Sequence, residues 1–538
     1  MVKNIFKFIL LIRVWLMVST VKAQTVNIIP QPHTISIGKD SVFLKNTTFV
    51  YTDNAVIFND AIEYLNHSLL KKKNFTWLHS NDAKSTIQFL VNSKLAEEAY
   101  DIEAKNNGKI VIQASTKKGA QNAAASLLQL VVNAKQYPTG VYIPQLSIQD
   151  QPAYGWRGFM LDEARHYMGK EKVKQLLDWM AFYKLNTFHW HLTDEEGWRL
   201  EIKNYPLLSV IGGVGNKTNP VAAAQFYTQE TIKEIVAYAA AMQIKVIPEI
   251  DMPGHATAAN KAYPQFSGGG NDKHPDFTFH PAKEGTYQYL TNILKETAVL
   301  FPAQYLHLGG DEVAFGSDAW NADASIQTLK QKHQYKTNKD VETYFMRRMA
   351  DSVYALQSTL LVWDEMADAG LPTDRTIQFW WRHDKPEQLK LALKNGYKTV
   401  ICPRIPFYFD FVQHESHTDG RRWNGFSSLD VLYNYDVTQY DHWQIKKNQI
   451  LGVQANLWSE TISNEQRFDF MIFPRIAALA EVGWTPFSKR NFDDFKIRLK
   501  KHLVLYKADG IYYFDPFNNK HPEPIRNKNN TKYIDNPQ

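Results

Sequence analysis

The chain has 538 residues, 44% of them hydrophobic and 22% charged, with a formal net charge of +6. That length allows two or more domains with large cores, and the composition is that of an ordinary soluble enzyme, without a basic footprint for nucleic acid. A single cysteine, Cys402, excludes an internal disulfide framework and any cysteine-rich zinc site.

The first residues, MVKNIFKFILLIRVWLMVSTVKAQ, have the form of a secretory signal over residues 1–23. Lysines open it, a short apolar middle is broken by Arg13, and Val21 and Ala23 are the small residues before the cut. A permanent anchor would need a longer unbroken apolar run. Cleavage after Ala23 would remove Lys3, Lys7, Arg13 and Lys22 and no acid, taking the charge from +6 to +2. The expectation is an exported protein, periplasmic or secreted, with no membrane span in the mature form.

Residues 24–151 mix short strands with two helices, as a small α+β domain would. STIQFLVNS (85–93) is strand-like, and AYDIEAKNNGKIVIQAS (99–115) is a hairpin around Asn106-Asn107-Gly108. KKGAQNAAASLLQLVVNA (117–134) carries apolar residues at helical spacing. Its acids and histidines form no constellation, so its expected role is structural.

From residue 152 to about 510 the rhythm changes. Eight apolar runs alternate with helical stretches: 158–164, 186–194, 245–251, 305–312, 360–365, 377–381, 399–403 and 452–458. Eight strand–helix repeats predict a (β/α)8 barrel, with a doubly wound open sheet as the alternative. The chain then ends in a polar tail over 511–538 that contains Pro522 and Pro524. Nearly every run ends in acids or tryptophans, and the C-terminal ends of barrel strands form the active face.

Acids and tryptophans without a cysteine nucleophile or a phosphate loop point to a carbohydrate site. Most glycosidases set two carboxyl groups on opposite sides of the scissile bond, about 5–5.5 Å or about 6.5–9.5 Å apart. Adjacent Asp311 and Glu312 in HLGGDE would meet that geometry only awkwardly. They suit an enzyme whose substrate supplies its own nucleophile, a 2-acetamido oxygen, with one acid for the leaving group and one for the acetamido nitrogen.

The motifs WRGFMLDEARH, HWHLTDEEGWR, PEIDMPGHA, HLGGDE, VWDE, YFDF and ANLWSE, in that order, resemble the signatures of glycoside hydrolase family 20 β-N-acetylhexosaminidases. The resemblance runs from about residue 155 to 485 and extends to the preceding α+β domain. It implies that Glu312 is the general acid and then base, and that Asp311 orients the acetamido group. Tyr408 would bond the acetamido oxygen, and Trp363, Trp380 and Trp458 would wall the sugar. Arg157, Asp410 and Glu460 would bind hydroxyls, while Asp194 and His255 would support Glu312. The implied reaction is exo-acting removal of terminal β-linked N-acetylglucosamine or N-acetylgalactosamine from an oligosaccharide or glycoconjugate. It calls for neither cofactor nor metal.

Plainer roles compete. Asp194 could cap a helix, His255 could be a core histidine, and Trp381 suits core better than pocket. Asp162, Arg165 and His166 fit a buried ion network as well as a site. His189 and His191 point the same way along their strand and, with His255 and His307, raise a metal-dependent hydrolase as a rival. A non-catalytic glycan-binding protein is a second rival. The segment VQHESHTDGRRWNGFSSLD, with Arg421 and Arg422, is either a solvated loop or a rim that favours an acidic substituent such as a sulfate.

Overall fold

The computed structural model describes residues 26–417, 419–422, 425–518 and 522–524. Residues 1–23, read from the sequence as a secretory signal, lie outside them, as do Trp423 and most of the tail. The first unit is a mixed sheet with strand order Thr34–Lys45, Gly140–Asp150, Tyr100–Ala104, Ile110–Ala114, Ile87–Val91, Thr47–Thr52, Thr76–Ser80. The expected hairpin turns at Gly108, whose φ of 81° suits a residue without a Cβ. Helices Ala55–Lys73 and Lys117–Asn133 pack together on the sheet, the second capped by the Thr116 side chain on the Gly119 amide.

The eight barrel strands are Trp156–Asp162, Thr187–His191, Lys245–Glu249, Tyr305–His307, Thr359–Trp363, Thr376–Trp380, Lys398–Ile401 and Ile450–Leu457, all parallel and closed on themselves. Each overlaps one of the eight apolar runs, five of them starting one or two residues earlier. Successive side chains alternate between lumen and helix layer. The lumen side collects Trp156, Met160, Ile247, Leu361, Trp363 and Phe379, while Phe159, Leu161, Phe188 and Val362 join the larger core under the helices.

The first unit meets the barrel below its strands. Lys184, wholly buried, lies 3.2 Å from Asp150 and donates to the Tyr100 hydroxyl at 2.7 Å. Arg157, at the start of the first strand, pairs with Glu98 at 2.7 Å and donates to the Lys184 carbonyl. That contact corrects the expected sugar-binding role of Arg157. It sits five residues before Asp162, about 16 Å down the strand at about 3.3 Å per residue, and on the opposite face. Arg157 holds the two units together and is remote from the active face.

Candidate active site

The fourth strand stops after His307 because the next residues turn sharply. Gly309 has φ 64°, and a Cβ there would lie 1.8 Å from an oxygen of Asp251. Its carbonyl accepts from the Trp363 amide at 3.0 Å, which ties the turn to the fifth strand. Glu312 itself adopts φ 51°, a left-handed conformation that costs a non-glycine residue about 1–3 kcal/mol. The turn sends the two acids to different surroundings: the Asp311 side chain is 10% exposed and that of Glu312 34%. Among the described residues, Asp311 Oδ1 is buried with no hydrogen-bond partner.

His255 joins the two acids. It too has a left-handed φ, 55°, and its Nε2 lies 3.7 Å from Asp311 Oδ2 and 3.6 Å from Glu312 Oε2. Its Nδ1 faces Asp194 Oδ1 at 3.0 Å. Burial opposes an imidazolium here, but Asp194, Asp251 and Asp311 outweigh it and hold His255 well above the ordinary histidine range. Asp194 is held ionised by Arg165 at 2.8 Å and by His255, against its burial. Burial pushes Asp311 up to about 7, with Glu312 and Glu365 adding to the rise and His255 opposing it. Glu312 is raised by burial and by Glu365, again against His255. Asp194 and His255, expected to support the acid pair, are thus placed in a row that ends at it.

Four aromatic rings pack together in the lumen cluster, with Tyr408 near enough to Asp311 to feel its charge. Trp363 and Trp458 lie 6.0 Å apart, Trp458 and Tyr408 6.1 Å, and Tyr408 stacks on Trp381 at 6.2 Å and 13°. Tyr408 leaves the seventh strand by bridging to Asn456, and the buried Arg475 fixes its segment by donating to the carbonyls of Phe409, Phe411 and Ser427. Trp380 is not among these rings. It turns into the helix layer, where its indole donates to the Lys385 carbonyl at 3.2 Å and meets Tyr440 edge-on. Trp381 is the tryptophan on the lumen side, and its indole donates to Glu365 at 3.0 Å. The expectation of Trp380 in the pocket and Trp381 in the core is thus reversed.

Arg165, which the sequence fits equally to a buried network or to the site, reaches this face where Arg157 does not. It bridges Asp194 and Glu196, approaches Asp162 at 3.5 Å and lies over the Trp458 ring at 5.2 Å. Asp410 and Glu460 are joined by Arg421, which lies 3.3 Å from Asp410 and forms an ion pair with Glu460. Arg421 and Arg165 hold Glu460 down at about 2 despite its burial. Burial lifts Asp410 to about 7, against the pull of Arg421. With two carboxylates already on Arg421, the arrangement does not favour this residue as a receptor for sulfate.

Among the described residues, four histidine–carboxylate groups bring donor atoms within 4.8 Å of one another: two are built on His255, and the other two hold the His189-x-His191 pair, His189 with Glu249 and His307, and His191 with Asp194 and Asp251. Ion pairs account for their geometry. Glu249 accepts from the Trp363 indole at 2.9 Å and from His191 at 2.6 Å, and Asp194 is engaged by His191 and Arg165. The His189-x-His191 pair that suggested a metal is thus turned onto a single carboxylate.

Comparison with known proteins agrees with this arrangement. The description "glycosyl hydrolase family 20, catalytic domain" matches residues 154–487, and "glycosyl hydrolase family 20, domain 2" matches residues 25–151. A beta-hexosaminidase of Porphyromonas gingivalis is 33% identical over 435 residues, covering 78% of this chain and 55% of its own length. One from Vibrio furnissii is 36% identical over 432 residues, covering 76% and 69%. Thus the chain spans about half the Porphyromonas protein. The solved exo β-N-acetylglucosaminidase of Vibrio harveyi, in complex with N-acetylglucosamine, superposes with a TM-score of 0.84 at 32% identity, covering 92% of this chain and 79% of that one. The Streptomyces plicatus N-acetyl-β-hexosaminidase gives 0.80 at 27% identity, covering 91% and 96%. With its catalytic-domain description matched over most of the chain, the protein belongs to glycosyl hydrolase family 20.

Proposed function

We propose that the protein is an exo-acting β-N-acetylhexosaminidase that removes a terminal β-linked N-acetylglucosamine or N-acetylgalactosamine with retention, the acetamido oxygen serving as nucleophile. The observation that carries this reading is the unequal pair in HLGGDE: a buried Asp311 with an unfilled acceptor oxygen beside a more exposed Glu312, both facing His255. An acetamido N–H would supply the missing donor to Asp311 and would be turned so that its carbonyl oxygen points at the anomeric carbon. Glu312 would protonate the leaving oxygen and then deprotonate the water that opens the oxazolinium intermediate.

Trp363, Trp381 and Trp458 would enclose the acetamido methyl and the sugar face, with the Tyr408 hydroxyl on the acetamido oxygen. Arg165, Asp410 and Glu460 would take the ring hydroxyls, Arg165 in the place first given to Arg157. Arg421 closes this end of the site by linking two of its acids, which favours a pocket for one terminal sugar. The composition of residues 1–23 supports export, and no helix of the described residues is long and apolar enough to cross a membrane.

The test is p-nitrophenol release from the β-N-acetylglucosaminide, the β-N-acetylgalactosaminide and the β-glucoside, each with and without a chelator. Chelator-resistant cleavage of the acetamido sugars alone, reduced at least about 10²-fold in Glu312→Gln and in Asp311→Asn, is the expected result. Equal cleavage of the glucoside would contradict the proposal, and loss of activity with chelator would restore the metal-dependent alternative.

A further inference from the structure

The barrel lumen holds a charge that the chemistry above does not use. Interior layers of such barrels are ordinarily filled by bulky apolar side chains. A buried ion there is costly unless it is paired, and apolar residues of similar volume are often as stable. Glu249, wholly buried on the third strand, is nonetheless surrounded by nitrogen atoms. The Trp363 indole donates to Oε1 at 2.9 Å and His191 Nδ1 donates to Oε2 at 2.6 Å. The rings of His307 and His189 each approach it at 3.0 Å. Stability alone gives no reason to retain this cluster.

Its geometry leads to the active face. His191 has Glu249 on one ring nitrogen and Asp194 Oδ2 on the other, at 2.6 and 2.8 Å. Ionised carboxylates only accept, so both ring nitrogens carry protons and the ring is an imidazolium. The other oxygen of Asp194 then faces His255 Nδ1 at 3.0 Å, and His255 Nε2 stands 3.6–3.7 Å from the two catalytic acids. Signs alternate along the row: Glu249 negative, His191 positive, Asp194 negative, His255 positive, acid pair negative. The other groups around His191 are Asp251 beyond the third strand, His189 on its own strand, His307 across Glu249, Arg165 on the shared Asp194, and Trp458 edge-on at 4.9 Å.

We propose that Glu249 is a positioning residue for hydrolysis: it keeps His191 doubly protonated, which, together with Arg165 and the Glu195 amide, pins Asp194 so that its Oδ1 aims His255 at Asp311 and Glu312. The inference rests on the roles given above to those two acids. Glu249 touches no substrate in this arrangement and acts on turnover through His255; its second link to the site, the Trp363 indole on Oε1, is kept by the amide oxygen in Glu249→Gln.

The test uses the full-length protein and the p-nitrophenyl β-N-acetylglucosaminide. Glu249→Gln keeps the side-chain shape but withdraws the anion, and the expected result is a kcat about 10²-fold lower with KM changed less than about threefold. The double variant Glu249→Gln/His255→Ala is expected to be no slower than His255→Ala alone, because both act at one point. Multiplying losses in the double variant would mean an independent structural effect and would overturn the inference. Nitrogen-15 NMR of the wild type gives a second readout if Glu249→Gln does not fold. Two protonated ring nitrogens on His191 at about pH 8, with the signal assigned by its loss in His191→Asn, are expected, and a neutral ring there would overturn it. A wild type inactive on both acetamido sugars would overturn this inference together with the hydrolase reading. An active wild type with Glu249→Gln at full kcat would overturn this inference alone.

Discussion

At the residue scale, the two acids of HLGGDE are set apart by their surroundings. Asp311 is pushed up to about 7 by burial and by neighbouring carboxylates, and Glu312 is raised for the same reasons. Both acids are raised, and in the proposed mechanism the productive form carries the proton on Glu312 with Asp311 ionised. A raised carboxyl group stays protonated to higher pH, so activity that needs the Glu312 proton persists above the ordinary glutamate range and is lost as pH rises further. We expect kcat/KM of the wild type to drop tenfold per pH unit on that alkaline limb. Glu365 raises both acids, so Glu365→Gln should move this limb to lower pH, while a limb that stays in place would argue against the assignment. The neighbouring tryptophans separate pocket from core. Trp381→Ala should raise KM and lower kcat/KM at least about tenfold with a modest loss of stability, whereas Trp380→Ala should cost about 3–5 kcal/mol in denaturant unfolding. The opposite pattern would put Trp380 back in the site.

At the element scale, the period of two along a strand decides most of what was legible. All eight barrel strands overlap apolar runs visible in the sequence, and the acids at their ends arrive together as expected. Trp380 and Arg157 were misplaced for one shared reason. Motif likeness says that a tryptophan or an arginine is needed nearby, but only register says which of two neighbours, or which end of a strand, faces the lumen. Ile377, Phe379 and Trp381 share one face, which assigns Trp381 to the pocket once the strand is recognised. Arg157 stands at the opening of its run and Arg165 just beyond its end, so position along the strand alone could have preferred Arg165. The left-handed turns at Glu312 and His255 carry no such signal, because their conformation depends on distant partners. The glycine before the acids does. Gly309→Ala would drive a methyl group onto Asp251, and we expect a loss of at least about 2 kcal/mol together with impaired activity, read by thermal unfolding and by kcat. Unchanged stability would mean that the turn is looser than described.

At the scale of the whole molecule, the barrel has two unlike ends. Its lower end is closed by the first unit, through Lys184 with Asp150 and Arg157 with Glu98, and those buried charges serve cohesion. Its upper end gathers charges whose ion pairs lead from Glu249 in the lumen to the acid pair at the mouth. Charged residues scattered over a long sequence do not announce which end they serve; only closure of the barrel sorts them. The same closure turns the His189 and His191 pair, which in sequence suggests a metal, onto one carboxylate. It also couples Arg421, on a segment whose sequence resembled a solvated loop, to two acids of the site.

The claim that ties these scales together is that the substrate's own acetamido oxygen is the nucleophile. The most direct measurement is kcat/KM across a series of p-nitrophenyl glycosides whose N-acetyl group carries none, one, two or three fluorines. Fluorine withdraws electron density from the carbonyl oxygen and leaves the leaving group unchanged. The account predicts a steep fall through the series, by orders of magnitude from acetyl to trifluoroacetyl. A flat series would show that the oxygen does not attack and would assign the nucleophile to the protein.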